Sequence, residues 1–323
     1  MDTLVLSDAD IRAVLGAADV VDSQDHAFLL ATTSGHVRSA HTHYATFAPD
    51  SIAFAHSAIA GGDTGVVFKT GTQHPRNGER GLPTVHATVT VHDPESGQTV
   101  GVLNGTTITT LRTAGGLVSA ARTLSPERPH TVGVLGAGVQ ATEFVRLISE
   151  LMPVERFLMW SPSLHRRGLG ERLSGLPVEV AASPQDLCER SRTIATCTLS
   201  RTPVVEGAWL RPGTTVLTMG SYAPDRRELD LACSERAELI FTDLPEQALR
   251  SNGPVVEAVK AGVLGEDAVR PLADVLRGDH PGRTGSGETV VFHSNGLGIQ
   301  DATLAWRAYT HARASGVGTR ISF

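Results

Sequence analysis

The run Val132-Gly133-Val134-Leu135-Gly136-Ala137-Gly138-Val139-Gln140-Ala141 carries an apolar stretch into G-x-G-x-x-A, followed by the helix-forming segment Thr142 to Leu151. At this spacing Gly136 permits a tight turn, Gly138 lets backbone come close to a ligand, and Ala141 allows the helix to pack closely on the strand. A helix that begins there presents unpaired N–H groups and the positive end of its dipole, which suits a pyrophosphate. These residues therefore point to a dinucleotide cradle made of Gly136, Ala137, Gly138, Val139 and Gln140. A plain strand-to-helix turn would use the same glycines, but here strand, loop, helix and the next strand, Arg156 to Trp160, all stand in order.

The end of that next strand decides the cofactor. NAD enzymes place an acid there for the ribose 2′-hydroxyl, whereas this chain has Ser161, with Arg166 and Arg167 close behind and no carboxylate from 161 to 167. A 2′-phosphate would find donors and no repulsion, so NADPH is favoured and NADH remains possible. Either arginine alone could equally be a solvated helix start. Thr198 and Ser200 follow another expected strand end, the side on which an open parallel sheet binds ligands, so Thr198 is a candidate cofactor contact.

Lys69 and Arg112 are cations of types that can bind an anion, a guanidinium doing so in bidentate fashion. From residue type alone, an exposed strand lysine and a helix-start ion pair explain them equally well.

These residues need elements to position them. Asp8 to Leu30 has apolar residues at helical spacing after the N-cap candidate Ser7, and predicts a helix. From about His36 to Asn104 short alternating runs such as Val85-His86-Ala87-Thr88-Val89 predict a mainly antiparallel sheet, and Thr113 to Leu124 predicts a helix. After the breakers Ser125-Pro126, strands are expected at Thr131 to Leu135, Arg156 to Trp160, Val178 to Ala181, Thr193 to Cys197, Thr214 to Met219, Leu239 to Thr242 and Val290 to Phe292. Strand alternating with helix means an α/β fold with a doubly wound parallel sheet of Rossmann type. Residues 126–298 form that dinucleotide-binding domain, and 1–125 form an α+β substrate-binding and dimerisation domain, completed by a C-terminal helix within 299–323.

Composition excludes several classes. With 28 Lys and Arg against 34 Asp and Glu, the net charge is −6, and no basic run offers a footprint for nucleic acid or an anionic membrane. No apolar stretch approaches the ~20 residues of a membrane span, and the first residues lack a leader pattern, so a soluble cytoplasmic protein is expected. Cys188, Cys197 and Cys233 fit neither a disulfide framework nor a zinc site, and no metal is expected.

The chain resembles the ornithine cyclodeaminase and mu-crystallin family over nearly its whole length. Four stretches carry the resemblance: Val67-Phe68-Lys69 with His74-Pro75-Arg76-Asn77; Gly105 with Thr109-Thr110-Leu111-Arg112-Thr113-Ala114; the Gly136 to Ala141 loop; and Phe292-His293-Ser294 with Gly296 and Asp301. It implies a homodimer formed through the first domain, an active site between the two domains, and Lys69 and Arg112 as catalytic and carboxylate-binding residues. It further implies substrate contacts from His56, Asn77 and Tyr222, and a cofactor contact from Gly220. Asp243, Asp301 and Glu228 could each cap a helix or hold a loop.

Departures from the family pattern narrow the chemistry. True cyclodeaminases carry an aspartate two residues after the glycine that corresponds to Gly220; here that place is Tyr222, in a Gly220 to Asp230 segment that resembles the mu-crystallin-type ketimine reductases. Relatives usually supply another arginine upstream, for which Arg38, His41 and His43 are the candidates, and Asn104 replaces an aspartate common among them. The resemblance thus implies NADPH-dependent reduction of a cyclic imino acid such as pyrroline-2-carboxylate or piperideine-2-carboxylate. Ornithine cyclodeaminase, an alanine-dehydrogenase-like enzyme, and an NADP-dependent small-molecule binding protein with little turnover are the alternatives.

Overall fold

The computed structural model describes residues 2–33, 39–45, 51–62, 64–126, 130–164 and 172–322, with backbone only for 39–45. Arg38, Arg166 and Arg167 lie outside the described residues, as do the side chains of His41 and His43. The chain divides into two compact units, one of residues 1–112 and 297–323, the other of 113–296.

The first unit is built on a seven-stranded sheet in the order β15-β1-β6-β5-β4-β3-β2. Its strands are β1 (Asp2–Leu6), β2 (Ser39–Ala45), β3 (Ile52–Ile59), β4 (Val66–Gln73), β5 (Val85–His92), β6 (Thr99–Asn104) and β15 (Thr319–Ser322). From β2 to β6 each strand pairs antiparallel with the next, as the alternating sequence predicts. The edge pair of β1 and β15 went unread, because runs of five and four residues carry too little periodicity to be distinguished from a terminus.

The expected helix from Asp8 to Leu30 is two helices, α1 (Asp8–Val14) and α2 (Ala17–Ala31). Ser7 caps the first, its hydroxyl accepting from the Asp10 N–H, and Gly16 begins the second with the Asp19 carboxylate accepting from its N–H at 3.0 Å. A break at Leu15-Gly16 keeps the apolar period nearly intact, so periodicity alone does not show it.

Helix α3 runs from Gly105 to Leu124, eight residues earlier than its expected start at Thr113, so Arg112 sits inside a helix and not at its beginning. The β-branched run Thr106 to Thr110 has poor helix propensity. Capping and back-bonding hold it: the Asn104 side chain accepts from the Thr107 N–H at 3.0 Å, and the Thr109 and Thr110 hydroxyls donate to the carbonyls four residues earlier. The long C-terminal helix, Gly298–Ser315, packs against α2 and against β3 and β4.

The second unit holds an eight-stranded, wholly parallel sheet in the order β13-β12-β14-β11-β10-β7-β8-β9. Its strands are β7 (His130–Leu135), β8 (Val154–Trp160), β9 (Val178–Val180), β10 (Thr193–Thr196), β11 (Thr215–Thr218), β12 (Leu239–Thr242), β13 (Val269–Pro271) and β14 (Val290–His293). All but the three-residue edge strand β13 were expected. The order reverses between β7 and β10, giving the doubly wound arrangement whose ligand crevice lies at the carboxyl ends of the strands.

Asn104 is the cap on which the Arg112-bearing helix depends. Asn104→Ala should lower unfolding free energy by about 1 kcal/mol, while Asn104→Asp, which retains a capping oxygen, should leave it nearly unchanged; urea denaturation of the two variants measures both.

Candidate active site

In the first unit the sheet register brings His56 opposite Lys69. Successive strand residues face opposite sides, so His56 on β3, Lys69 on β4 and Val89 on β5 share one face, the face against which the C-terminal helix packs. That helix contributes Asp301. Lys69 Nζ lies 2.6 Å from Asp301 Oδ2, Arg112 Nε 3.1 Å from Asp301 Oδ1, and His56 Nδ1 3.4 Å from Oδ2. The Arg112 contact is a close ion pair without the alignment of a hydrogen bond. Lys69 Nζ also stands 5.6 Å from the centre of the Phe54 ring, within the range of a cation–π contact.

Burial sets the electrostatics. The side chains of Lys69 and Asp301 are 1% and 2% exposed, those of Arg112 and His56 11% and 13%. Removal from water, reinforced by the Arg112 charge and opposed by Asp301, lowers Lys69 to about 8. Burial would raise Asp301, but the charges of Lys69 and Arg112 outweigh it and hold the carboxyl well below the usual carboxylate range. His56 is lowered, chiefly by burial, and is uncharged near neutral pH. One carboxylate thus faces two cations and a neutral imidazole, leaving one positive charge without an anion in the cluster. A small carboxylate ligand would supply that anion, and Lys69 is close enough to neutrality to give up a proton.

Asp301 is the residue that sequence reasoning left as a cap. Its signal was available: in the helix its spacing puts it on the same face as Leu304, Ala305 and Ala308, all buried. A carboxylate on an apolar helical stripe must be paired. Asn77, by contrast, is not among the contacts of the cluster; its side-chain amide donates to the Pro83 carbonyl at 2.9 Å and closes its own loop.

In the second unit the expected loop joins β7 to helix α4 (Val139–Leu151). Gly136 has φ +125°, and a Cβ there would meet the Cys197 carbonyl oxygen at 2.5 Å, so no other residue fits. A Cβ on Gly138 would meet nothing within 4 Å, which leaves its outer side open for a ligand. Gly138 caps α4 with no side chain over the first N–H groups, Val139 is exposed, and Gln140 Oε1 is buried without a hydrogen-bond partner. Ala137 and Ala141 are buried behind the turn. An uncapped helix start and an open glycine face fit a dinucleotide pyrophosphate.

Ser161 follows β8, with its hydroxyl 3.3 Å from that of Ser163. Thr198 and Gly220 stand beyond the ends of β10 and β11, where both donate to Glu228. Tyr222 is partly buried in the segment that follows β11.

Comparison with known proteins gives the family. The model of the ornithine cyclodeaminase/mu-crystallin family matches residues 1–316. The chain is 30% identical to the alanine dehydrogenase of Archaeoglobus fulgidus, covering 100% of this chain and 99% of that protein, and 31% identical to the iminosuccinate reductase of Paracoccus denitrificans, covering 79% of each. Among solved structures, the Δ1-pyrroline-2-carboxylate reductase of Thermococcus litoralis, in complex with NADH and L-proline, superposes with a TM-score of 0.91 at 28% identity, covering 99% of this chain and 100% of that one.

Removing one member of a buried ion cluster leaves a charge without compensation, typically at a cost of about 3–5 kcal/mol. Asp301→Asn should therefore destabilise the fold by about that much. Lys69→Met combined with it should cost less than the sum of the two single changes, because the first change has already deprived Lys69 of its partner. Denaturant titration of the four proteins in this cycle tests the coupling, and strict additivity would contradict it.

Proposed function

Because the chain belongs to the ornithine cyclodeaminase/mu-crystallin family, we propose that it reduces the C=N bond of a cyclic imino acid, of the pyrroline-2-carboxylate or piperideine-2-carboxylate kind, with NADPH. The observation that carries this reading is the buried cluster of Lys69, Arg112 and Asp301, which has one positive charge to spare for a carboxylate. Arg112 and Lys69 bind the substrate carboxylate in this proposal, and Asp301 fixes the directions of both. A nicotinamide dinucleotide held at the Gly136 to Gln140 loop would supply the hydride for the α-carbon. Lys69, held near 8, gives a proton to the imine nitrogen and so makes that carbon a better acceptor.

The first unit is the substrate-binding unit in this reading and the second the dinucleotide-binding unit. A homodimer through the first unit is part of the proposal, supported by exposed Ile59 and Phe68 on the sheet face opposite Lys69. Among the described residues no helix is long and apolar enough to cross a membrane.

Tyr222 separates reduction from cyclisation. To cyclise, ornithine must lose a proton from a side-chain ammonium with a pKa like that of lysine, about 10.4, and a positioned carboxylate base assists this by typically ~10²- to 10⁴-fold. A phenol with a reference pKa of about 10 supplies neither the charge nor the basicity near neutral pH. A preformed ketimine makes no such demand. The purified protein should oxidise NADPH with pyrroline-2-carboxylate or piperideine-2-carboxylate and should form essentially no proline from ornithine and NAD⁺. Tyr222→Asp should raise the ornithine reaction; efficient cyclisation by the wild type would overturn the reading. The full-length similarity to an alanine dehydrogenase keeps a second reading in the same assay: oxidation of NADPH that needs ammonia and an open-chain 2-oxo acid.

The preference for NADPH rests on Ser161 and the absence of a carboxylate beside it. Calorimetric titration should give tighter binding of NADPH than of NADH. Ser161→Asp, which puts an acid where a 2′-phosphate would lie, should reverse the order; equal affinities in the wild type would reject the preference.

A further inference from the structure

Glu228 is completely buried, and among the described residues it faces no cation. Its Oε1 accepts from the Thr198 N–H at 2.9 Å and the Thr198 hydroxyl at 2.7 Å, and its Oε2 from the Gly220 N–H at 2.7 Å. Its own backbone N–H donates to Ser221 Oγ, and its carbonyl accepts from Val204 and Val205. The neighbouring arginines are engaged elsewhere: Arg227 pairs with Glu257 at 2.7 Å, Arg226 donates to the Leu199 carbonyl, and Arg201 pairs with Asp225.

The other titratable groups around this position do not supply a charge to offset it. Cys197, at the end of β10, is raised well above the ordinary thiol value by burial, and His293, at the end of β14, is lowered to about 4, again by burial, so both are neutral near pH 7. Asp230 accepts from the Gly207 and Cys233 N–H groups.

The position of this carboxylate matters. The Cys197 carbonyl lies against Gly136 of the dinucleotide loop, and a Cβ on Gly220 would meet the Thr198 oxygen at 1.7 Å. The segments that follow β10 and β11 are therefore in mutual contact and border the loop. They belong to the second half of the doubly wound sheet, the half opposite the β8 end where the adenosine ribose is read, and so the half that takes the nicotinamide.

We propose that Glu228 is a positioning residue that locks these two segments together and, through its uncompensated carboxylate, favours the cationic oxidised nicotinamide over the neutral reduced one. The inference rests on the second unit binding a nicotinamide dinucleotide and on no choice of substrate. Among the described residues donors alone surround the carboxylate, so they stabilise its ionised form without neutralising it, and in a low-dielectric interior the nearest cation has a large effect. Burial offsets the donors and pushes Glu228 up to about 7. Binding the oxidised ring should therefore favour loss of the Glu228 proton, and by reciprocity loss of that proton should tighten binding of the oxidised ring. The same charge would stabilise the ring as it becomes positive during hydride donation.

The test compares dissociation constants for NADP⁺ and NADPH by calorimetry, in wild type and Glu228→Gln, between about pH 6 and about pH 8.5. The 2′-phosphate titrates in both dinucleotides and cancels in the ratio. In the wild type the ratio of the NADP⁺ to the NADPH dissociation constant should fall on the order of ten-fold as pH rises, equivalent to a pKa change of about one unit. In Glu228→Gln it should be flat. Should that variant not fold, infrared spectroscopy of the wild type gives the same information: near pH 6.5, by order of magnitude, the band of a protonated buried carboxyl should weaken on adding NADP⁺ and persist with NADPH. A wild-type ratio independent of pH, or a slope retained in Glu228→Gln, overturns the inference while leaving dinucleotide binding intact. Binding of neither dinucleotide overturns the assignment of the second unit and this inference with it.

Discussion

One buried carboxylate between two cations governs the first unit. Asp301 must stay ionised to justify the burial of Lys69 and Arg112, and they must stay charged to keep it so. Taking three such groups from water costs several kcal/mol each, recovered only if the geometry is held closely. Three separate elements provide that geometry. The register of β3 on β4 sets Lys69 beside His56, the Asn104 cap fixes the start of the helix that carries Arg112, and the apolar stripe of the C-terminal helix fixes Asp301. Rotating that helix by one residue would turn Asp301 by about 100° away from the lysine.

The odd charge makes the arrangement chemical as well as structural. A fully matched pair would be complete in itself, and buried pairs of that kind are often no better for stability than apolar residues of similar volume. A cluster with a cation in excess has a reason to be charged: it is satisfied only when an anion arrives. Burial lowers the lysine first; Asp301 opposes that shift and Arg112 adds to it. The odd charge and the lowered lysine thus have separate origins, the first in the count of ions and the second chiefly in burial.

Much of this was legible in the sequence, for identifiable physical reasons. A parallel strand buried on both faces reads as a run of β-branched residues, and Val132 to Leu135, Leu239 to Thr242 and Val290 to Phe292 stand out in that way. Gly136 and Gly138 are legible because only a backbone without Cβ meets the two demands of that turn. Three things were hidden. The first turns of α3 were not read as helix because their threonines are stabilised by bonds to the backbone, not by propensity. The four- and five-residue strands β15 and β1 carry no usable period. Asp301 could be recognised as an internal charge only by setting its helical face against its neighbours, since a lone acid near a helix start otherwise reads as a response to the dipole.

Three of the buried carboxylates among the described residues show how environment assigns function within one fold. Asp301 is surrounded by cations and lies far below neutrality, so it serves as a fixed charge. Asp243 is raised by burial, yet it accepts from the N–H groups of Leu244, Asn295 and Gly296 at 2.9, 2.7 and 2.7 Å, and its task is to hold the turn that ends the second unit. Glu228 has the same kind of partners, backbone and hydroxyl donors without a cation, but it stands at the mouth of the sheet and is pushed up to about 7. A carboxylate held by cations cannot respond to a ligand's charge, because its protonation is already decided. One held by dipoles can. For a dinucleotide whose ring changes charge during turnover, Glu228 is therefore the position able to respond, and Asp301, the fixed one, organises the cations proposed to receive a carboxylate.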